Sequence, residues 1–289
     1  MRFSESYTSG TLGLTFEVFP PKTEAGDKAL FRNVAELAAL APKLITCTYG
    51  AGGSTRDKTL SIVSRIRREF GISVAAHLTC VGSTIDSLRE YLSRAEELGI
   101  ENIVALRGDP PRGETSFEPV QGGLRYANEL VALIRAEFPS FGVAVAGYPE
   151  KHQEASSMET DLDNLKRKVD AGADVVITQL FYDNADFYRF RDACGRLGIS
   201  VPIVPGLLPV TNFAQIQRIT SLCGAQLPKP FVAALEACGS DENSQFEIGV
   251  DQAAAQAADL VHNGVPGIHF YVLNKSQAAR RVIEQLPRK

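Results

Sequence analysis

The sequence lacks the features that mark membrane, secreted and nucleic-acid-binding proteins. It has no stretch of about 18 consecutive apolar residues, which argues against a membrane-spanning helix. Residues 1–6 contain no apolar segment of the kind that a signal peptide requires. No run of Lys and Arg exceeds three residues, and the formal net charge is −4, so a basic face for nucleic acid is not expected. We therefore expect a cytoplasmic protein that binds neither membranes nor nucleic acid.

Cysteine and histidine are sparse and poorly spaced for disulfides or metal ligands. The five cysteines are odd in number, lie far apart and form no C-x-x-C pair, which is typical of reduced thiols. The four histidines show no H-x-x-x-H or H-E-x-x-H spacing, and His77 with Cys80 offers only two ligands. We expect no metal site. A G-x-S-x-G elbow is also absent, which argues against a serine hydrolase.

Short β-branched runs alternate with longer segments of helical period, and Gly, Pro or Asp separates them. This alternation predicts repeated βα units with a parallel sheet. The predicted strands are residues 14–19, 44–48, 74–78, 102–106, 143–147, 175–179, 203–206 and 268–273. The predicted helices are residues 29–40, 59–70, 85–98, 124–138, 161–171, 185–197, 213–223 and 276–285. We expect residues 1–289 to form a single catalytic domain, an α/β protein with the (β/α)8 TIM-barrel fold.

Two segments refine this expectation. Residues 226–262, between the seventh and eighth strands, are longer than one crossover needs and predict two extra helices. A doubly wound open sheet is the alternative fold. Such a sheet starts with a phosphate-binding turn after its first strand, whereas here Pro20-Pro21-Lys22 follows.

Glu17 places a charge inside the first predicted strand. Barrel strands are buried on both faces, and a period of two puts Glu17 on the same face as Thr15, toward the barrel interior. Burial disfavours the ionised form, so we expect a raised pKa that suits a general acid at neutral pH. A carboxylate paired with a buried Lys or Arg for structural reasons is the alternative.

Polar residues also cluster at the ends of five other strands, where the active sites of TIM barrels lie. They are Thr48, His77, the Arg107-Gly108-Asp109 segment, Tyr148 and Gln179. The glycine-rich segment 50–55 is interpreted as a turn against a ligand, with a purely structural loop as the alternative. In helix 161–171 a polar stripe carries Asp161, Asn164 and Lys168, with Arg167 beside it. If the stripe borders the barrel mouth, Arg167 and Lys168 could hold a diphosphate.

Eight motifs follow one another along nearly the whole chain, most of them at these strand ends. They are Phe16-Glu17-Val18-Phe19-Pro20-Pro21-Lys22, Thr48-Tyr49-Gly50-Ala51, His77-Leu78-Thr79-Cys80, Ala105-Leu106-Arg107-Gly108-Asp109, Tyr148-Pro149-Glu150, Asn164-Leu165-Lys166-Arg167-Lys168, Ile177-Thr178-Gln179 and Phe270-Tyr271-Val272-Leu273-Asn274. In this order they resemble the catalytic barrel of the methylenetetrahydrofolate reductase family.

The resemblance implies non-covalent FAD and a ping-pong transfer from NADH or NADPH to 5,10-methylenetetrahydrofolate, which gives 5-methyltetrahydrofolate for methionine synthesis. It assigns the general acid to Glu17 and an electrostatic role beside flavin and pterin to Asp109. Contacts to the substrate fall to Gln179, Phe213, Tyr271 and Lys275. The implied FAD contacts are Thr48, His77, Arg107, Gly108, Asp109, Tyr126, Tyr148, His152, Asp161, Asn164, Arg167 and Lys168.

The sequence departs from the family at Lys275, where members often carry Arg. Lysine keeps the charge but loses the bidentate fork, which affects the binding of the negative end of folate. The resemblance also leads us to expect a homo-oligomer. Because the sequence ends after the eighth predicted helix, we expect no regulatory domain of the eukaryotic kind and no inhibition by S-adenosylmethionine through it.

Two other functions fit parts of the pattern. An FAD-dependent NAD(P)H oxidoreductase with another electron acceptor needs the cofactor contacts but not Glu17. A non-catalytic folate- or flavin-binding subunit does not need the cationic set of Arg107, Arg167 and Lys168. The sequence does not choose between NADH and NADPH.

Overall fold

The computed structural model describes residues 1–7, 10–49, 56–110 and 117–286, in which strands and helices alternate. The strands are β1 (Gly13–Val18), β2 (Leu44–Cys47), β3 (Ser73–Thr79), β4 (Asn102–Leu106), β5 (Gly142–Gly147), β6 (Val175–Thr178), β7 (Ile203–Val204), β8 (Gly206–Leu207) and β9 (Gly267–Tyr271). The helices are α1 (Phe3–Ser6), α2 (Glu24–Ala38), α3 (Arg56–Phe70), α4 (Ile85–Glu97), α5 (Ala127–Glu137), α6 (Met158–Asp170), α7 (Asn184–Arg196), α8 (Phe213–Cys223), α9 (Lys229–Ala237), α10 (Glu242–His262) and α11 (Gln277–Glu284). The predicted turn at residues 50–55 lies outside the described residues.

The described strands form one parallel sheet that curves into a barrel. Their order is β7-β6-β5-β4-β3-β2-β1-β9-β8. Because Pro205 alone separates β7 from β8, these two segments are halves of one stave, and the described strands make eight staves. The predicted (β/α)8 TIM-barrel fold is confirmed.

The seventh stave differs from its prediction. The sequence predicts one strand over residues 203–206, but the structure splits the stave at Pro205 and continues it to Leu207. Proline has no backbone N–H and cannot donate to the ladder. Its carbonyl oxygen still accepts a hydrogen bond from the backbone N–H of His269 at 2.9 Å, so the stave stays attached to β9.

The long connection from β8 to β9 holds two helices beyond α8, as predicted. These are α9 and the 21-residue α10. Helix α10 packs against α7, α9 and α11. The extra helices therefore cover the outside of the barrel next to the seventh and eighth staves.

Capping side chains set the helix starts more closely than the apolar period does. The hydroxyl of Thr23 accepts a hydrogen bond from the N–H of Gly26, so α2 begins at Glu24 rather than at the predicted residue 29. Helix α5 begins at Ala127 rather than at residue 124, because the carboxylate of Glu129 accepts from the N–H of Tyr126 at 3.1 Å. An apolar period locates the buried face of a helix but not its first turn.

Apolar side chains fill the inside of the barrel and the layer between barrel and helices. The short helix α1, which the sequence does not predict, covers the N-terminal end of the barrel. Phe3 is fully buried there, and its N–H donates to Oδ1 of Asn102 at 2.8 Å. The opposite end, where the strands finish, carries the polar residues.

Candidate active site

A cavity of about 460 Å³ lies at the carboxyl ends of the strands and collects most of the predicted site residues. We call it the mouth cavity. Parallel staves finish at the same end of a barrel, so residues far apart in the sequence meet there. The predicted residues that line it are Glu17, Thr48, His77, Arg107, Gly108, Asp109, Tyr148, His152, Gln179 and Tyr271.

Glu17 projects from β1 toward two buried histidines. Its Oε2 lies 3.2 Å from Nε2 of His77 and 3.4 Å from Nε2 of His269. The contact with His77 lacks hydrogen-bond alignment, because Nε2 of His77 has no aligned partner among the described residues. The side chain of Glu17 is 19% exposed, so it also reaches the mouth cavity.

The expected rise in the pKa of Glu17 is wrong. Burial does raise the pKa of this carboxyl group, but the charge of His77 and the hydrogen bond from His269 outweigh it and lower the pKa to about 2. Glu17 is therefore a carboxylate at neutral pH in this arrangement. Its partners are histidines rather than the Lys or Arg of the alternative interpretation.

His269 belongs to the site although the sequence analysis considered it only as a metal ligand. It stands on β9, opposite Thr15 of β1 in the strand register, and its side chain is buried inside the barrel. Its Nδ1 lies 2.9 Å from the hydroxyl of Thr15. The sequence does show a polar residue, Glu17 or His269, within each of two apolar strands. Neither strand by itself reveals that it pairs with the other, so the contact between the two residues could not be predicted.

Arg107 brings a half-buried cation to the mouth cavity. Its guanidinium donates from Nη1 at 2.5 Å and from Nη2 at 2.6 Å to the two carboxylate oxygens of Glu154. These hydrogen bonds raise the pKa of Arg107, and the guanidinium carbon lies 5.3 Å from the ring centre of Phe117. The fork geometry that holds Glu154 suits a phosphate equally well.

Helix α6 adds a second cation behind the wall of the cavity. Nζ of Lys168 donates to the carbonyl oxygen of Ala146 at 2.6 Å and lies 5.8 Å from the ring centre of Tyr148. Burial lowers the pKa of Lys168 to about 8, against the opposing charge of Asp161. Asp161 also accepts from the backbone N–H of His152 at 3.0 Å, which ties α6 to the segment after β5.

Gly108 shapes the rim of the cavity between Arg107 and Asp109. Its φ of +90° lies in the region that favours glycine, and an added Cβ would stand 2.6 Å from Cγ1 of Val81. No other residue fits there without displacement of the neighbouring chain. The turn leaves Asp109 exposed at the rim, where it lines the mouth cavity.

Gln179 and Tyr271 line the cavity from β6 and β9. The side-chain oxygen of Gln179 accepts from the N–H of Leu180 at 2.9 Å, which leaves its amide nitrogen available. The phenol of Tyr271 donates to the carbonyl oxygen of Thr178 at 2.7 Å. Both side chains are therefore held in defined positions at the mouth.

The structure does not bring every predicted residue into the mouth cavity. Tyr126 is 50% exposed at the start of α5, and Asn164 and Arg167 lie on the exposed side of α6. Phe213 packs in a cluster that also contains Tyr271. Lys275 lines a neighbouring cavity of about 640 Å³, to which Tyr271 and Leu273 also contribute. Their contacts with ligands stay predictions.

Glu150 is a carboxyl group that the sequence analysis did not single out for chemistry. Burial raises its pKa to about 7, although its Oε1 accepts from the N–H of Gln226 at 3.0 Å. It lies in a larger cavity of about 950 Å³ against α6 and α7, not among the residues that line the mouth cavity. The described lining of this cavity contains none of the residues to which the resemblance assigns FAD, folate or catalysis.

Two kinds of feature are missing from the described ranges. No three or more His, Cys, Asp and Glu side chains in them are grouped so that they could hold a metal ion. No described helix combines the length and the hydropathy needed to cross a bilayer.

Comparison with known families identifies the family to which this barrel belongs. Residues 2–287 match the family model described as methylenetetrahydrofolate reductase. The chain belongs to this family. The mouth cavity with Glu17, Arg107 and Asp109 is thus the barrel mouth of a family member, and the resemblance seen in the strand-end motifs is confirmed.

Relatives from plants and bacteria support the assignment. The chain is 39% identical to 5,10-methylenetetrahydrofolate reductase of Escherichia coli (strain K12), over 96% of this chain and 91% of that protein. It is 38% identical to methylenetetrahydrofolate reductase (NADH) 1 of Zea mays, over 98% of this chain and 49% of that protein. The chain thus spans about half the length of the plant relatives that it matches.

A solved structure shares the fold. It is an uncharacterised protein from Clostridium thermocellum that binds two copies of 5-methyl-5,6,7,8-tetrahydrofolic acid, with a TM-score of 0.64 and 14% sequence identity. The likeness covers 95% of this chain and 93% of that one. At this identity it supports the barrel fold alone.

Proposed function

We propose that this protein is an oxidoreductase that reduces 5,10-methylenetetrahydrofolate to 5-methyltetrahydrofolate with NADH or NADPH and bound FAD. The observation that carries the proposal is the Glu17 carboxyl group, which faces the mouth cavity while two histidines hold one of its oxygens. Opening the methylene bridge needs an acid beside the bridging amine. Membership of the family supports the substrate, and the product would supply methyl groups for methionine synthesis.

The mouth cavity has side chains that suit FAD. Tyr148 and apolar neighbours such as Leu106 and Val145 suit a flat ring system, and Arg107 with Lys168 provides partly desolvated cations for a diphosphate. FAD held there would supply two-electron transfer between the nicotinamide and the second substrate, as a ping-pong sequence requires. The residues that we assign to it are Thr48, His77, Arg107, Gly108, Asp109, Tyr126, Tyr148, His152, Asp161, Asn164, Arg167 and Lys168.

Glu17 contributes a proton to the folate step, and its low pKa requires that this proton reach it from a neighbour. His77 is the neighbour that also lines the mouth cavity, with its Nε2 3.2 Å from Oε2 of Glu17. A ligand over the mouth excludes water, which disfavours the carboxylate form of Glu17 and favours its protonation. The protonated Glu17 then gives its proton to the amine nitrogen.

Asp109, residues at the ends of the sixth and eighth staves, and one residue of α8 complete the proposed site. Ring opening leaves a cationic iminium group, and the negative charge of Asp109 at the rim favours that cation. Gln179, Phe213 and Tyr271 are proposed to contact folate. Lys275 in the neighbouring cavity is proposed to bind its negative end. We further propose that residues 1–289 act as one catalytic domain in a cytoplasmic homo-oligomer.

The experiment is to purify the protein, record its visible spectrum and measure NAD(P)H oxidation with two electron acceptors. We expect a yellow protein that consumes NADH or NADPH faster with methylenetetrahydrofolate than with menadione. Oxidation with menadione alone indicates an oxidoreductase with another acceptor. A colourless protein that takes up no added FAD would contradict the proposal and favour a non-catalytic binding subunit.

A further inference from the structure

His269 connects Glu17 to a chain of hydrogen bonds inside the barrel. Its Nε2 lies 3.4 Å from Oε2 of Glu17, and its Nδ1 lies 2.9 Å from Oγ1 of Thr15. The same Thr15 oxygen lies 3.2 Å from the phenol oxygen of Tyr7. This hydrogen-bond chain begins at Tyr7 beside α1, at the N-terminal end of the barrel, and ends at the Glu17 carboxyl group in the mouth.

The pairing of the barrel strands positions the residues of this hydrogen-bond chain. Thr15 stands directly opposite His269 in the pairing of β1 with β9, and Glu17 follows on the same face of β1. The ring of Tyr7 lies where a Cβ on Gly13 or Gly267 would come within 2.8 Å or 2.7 Å of it. These two glycines make room for the phenol at the bottom of the barrel.

The order of donors in the chain follows from its buried ends. If Nδ1 of His269 carried a proton and donated to Thr15, either Thr15 would donate to Tyr7, or Nδ1 and Tyr7 would both donate to Thr15. One hydroxyl proton, that of Tyr7 in the first case and that of Thr15 in the second, would then have no acceptor among the described residues. In the reverse order Tyr7 donates to Thr15, Thr15 donates to Nδ1, and every polar group is satisfied. Nε2 then carries the ring proton and donates it to the Glu17 carboxylate, which accepts only.

We propose that Tyr7 and Thr15 hold His269 as the neutral Nε2–H tautomer, so that His269 is a positioning residue that orients the Glu17 carboxyl group toward the substrate. The two histidines on Oε2 therefore have different tasks. His269 is fully buried and held in one tautomer, whereas His77 lines the mouth cavity and its Nε2 makes no aligned hydrogen bond with Glu17. The effect on catalysis rests on the proposed function, but the tautomer does not.

The first test is nitrogen-15 NMR of the histidine rings at neutral pH in the full-length protein, with signals assigned by loss in His77→Asn and His269→Asn. We expect His269 to show one protonated and one unprotonated ring nitrogen. Thr15→Val keeps the shape of the side chain but removes the donor to Nδ1, so the two signals should move toward averaged positions. Thr15→Ser restores the hydroxyl and should restore the separate signals.

Thr46→Val is the matched control. Thr46 stands beside Glu17 in the strand register, is fully buried, and its hydroxyl has no hydrogen-bond partner among the described residues. We expect this variant to leave the His269 signals unchanged. Tyr7→Phe removes the first donor of the chain and gives an independent variant if Thr15→Val folds poorly.

The second test measures the two half-reactions of Thr15→Val by rapid mixing. We expect the folate half-reaction to slow by up to about 10²-fold, the size of effect that misplacing a catalytic group produces, while the nicotinamide half-reaction stays unchanged. A His269 ring that is doubly protonated, or that keeps its tautomer in both Thr15→Val and Tyr7→Phe, would overturn the proposal. If the tautomer responds as expected but the protein does not reduce methylenetetrahydrofolate, the proposed function fails and the hydrogen-bond chain stands.

Discussion

Replacement of Glu17 by Gln removes the proposed acid while it preserves the size of the side chain. The amide oxygen of Gln can still accept from Nε2 of His269, so the barrel interior should remain intact. A general acid contributes about 10²–10⁴-fold, or about 2.7–5.5 kcal/mol of activation free energy. Asp109 is the other carboxyl group in the described lining, and its exposure at the rim makes it a poor substitute. We therefore expect the folate half-reaction to fall by at least about 10²-fold.

The assay is rapid-mixing absorbance at the flavin band, which separates the two half-reactions. Bleaching by NADH or NADPH needs no protonated carboxyl group and should proceed at the wild-type rate in Glu17→Gln. Recovery of the band with methylenetetrahydrofolate should slow. Glu150→Gln is the matched control, because the raised pKa of Glu150 makes it the rival acid, although it lies outside the lining of the mouth cavity. If Glu150→Gln slows the folate step and Glu17→Gln does not, the assignment of the acid is refuted.

Three further substitutions test the cofactor end, the rim and the folate end. Arg107→Lys keeps the charge but loses the two-oxygen grip now seen on Glu154, so it should weaken FAD binding by about tenfold. Fluorescence titration should find no such loss in Arg125→Lys, an exposed arginine paired with Glu118. Gly108→Ala should lower the free energy of unfolding by about 1–3 kcal/mol, because its Cβ meets Val81 at a φ of +90°. Gly82 has a similar φ of +63° but open space where a Cβ would stand, so urea denaturation should show a smaller loss of unfolding free energy for Gly82→Ala. Equal losses in the two variants would mean that the contact with Val81 is not the cause. In steady-state kinetics, Lys275→Ala should raise KM for methylenetetrahydrofolate several-fold and leave KM for NAD(P)H unchanged. Lys229 is also exposed, so Lys229→Ala is the control. Equal changes in both KM values of Lys275→Ala would indicate a structural role.

The local pattern of the sequence predicts the barrel well, because each long helix and most strands can be recognised from the apolar period of their own residues. Residues 102–106 and 213–223 have the predicted bounds. Pro205 shows the limit, since its missing N–H splits a strand whose apolar pattern is continuous. Helix α1 is too short for a period to reveal and is held by tertiary contacts such as the bond from Phe3 to Asn102.

The residues at the strand ends were also predictable, because parallel strands bring their carboxyl ends together whatever their separation along the chain. The electrostatics of Glu17 were not. Its low pKa depends on His77 from β3 and on His269, which lies 252 residues away on β9. The burial of Glu17 can be predicted from the hydrophobic strand around it. The two histidines that reverse the effect of burial on its pKa are brought to it by strand order and register across the barrel, which one strand does not reveal.

The central claim is the reaction itself, and carbon-13 NMR of methylenetetrahydrofolate labelled at the bridging methylene carbon tests it most directly. With the purified protein, FAD and NADH or NADPH, we predict that the methylene signal is replaced by a methyl signal of 5-methyltetrahydrofolate. The replacement should require the nicotinamide and should slow sharply in Glu17→Gln. A methylene signal that persists while the FAD-loaded protein oxidises NAD(P)H with another acceptor would contradict the account.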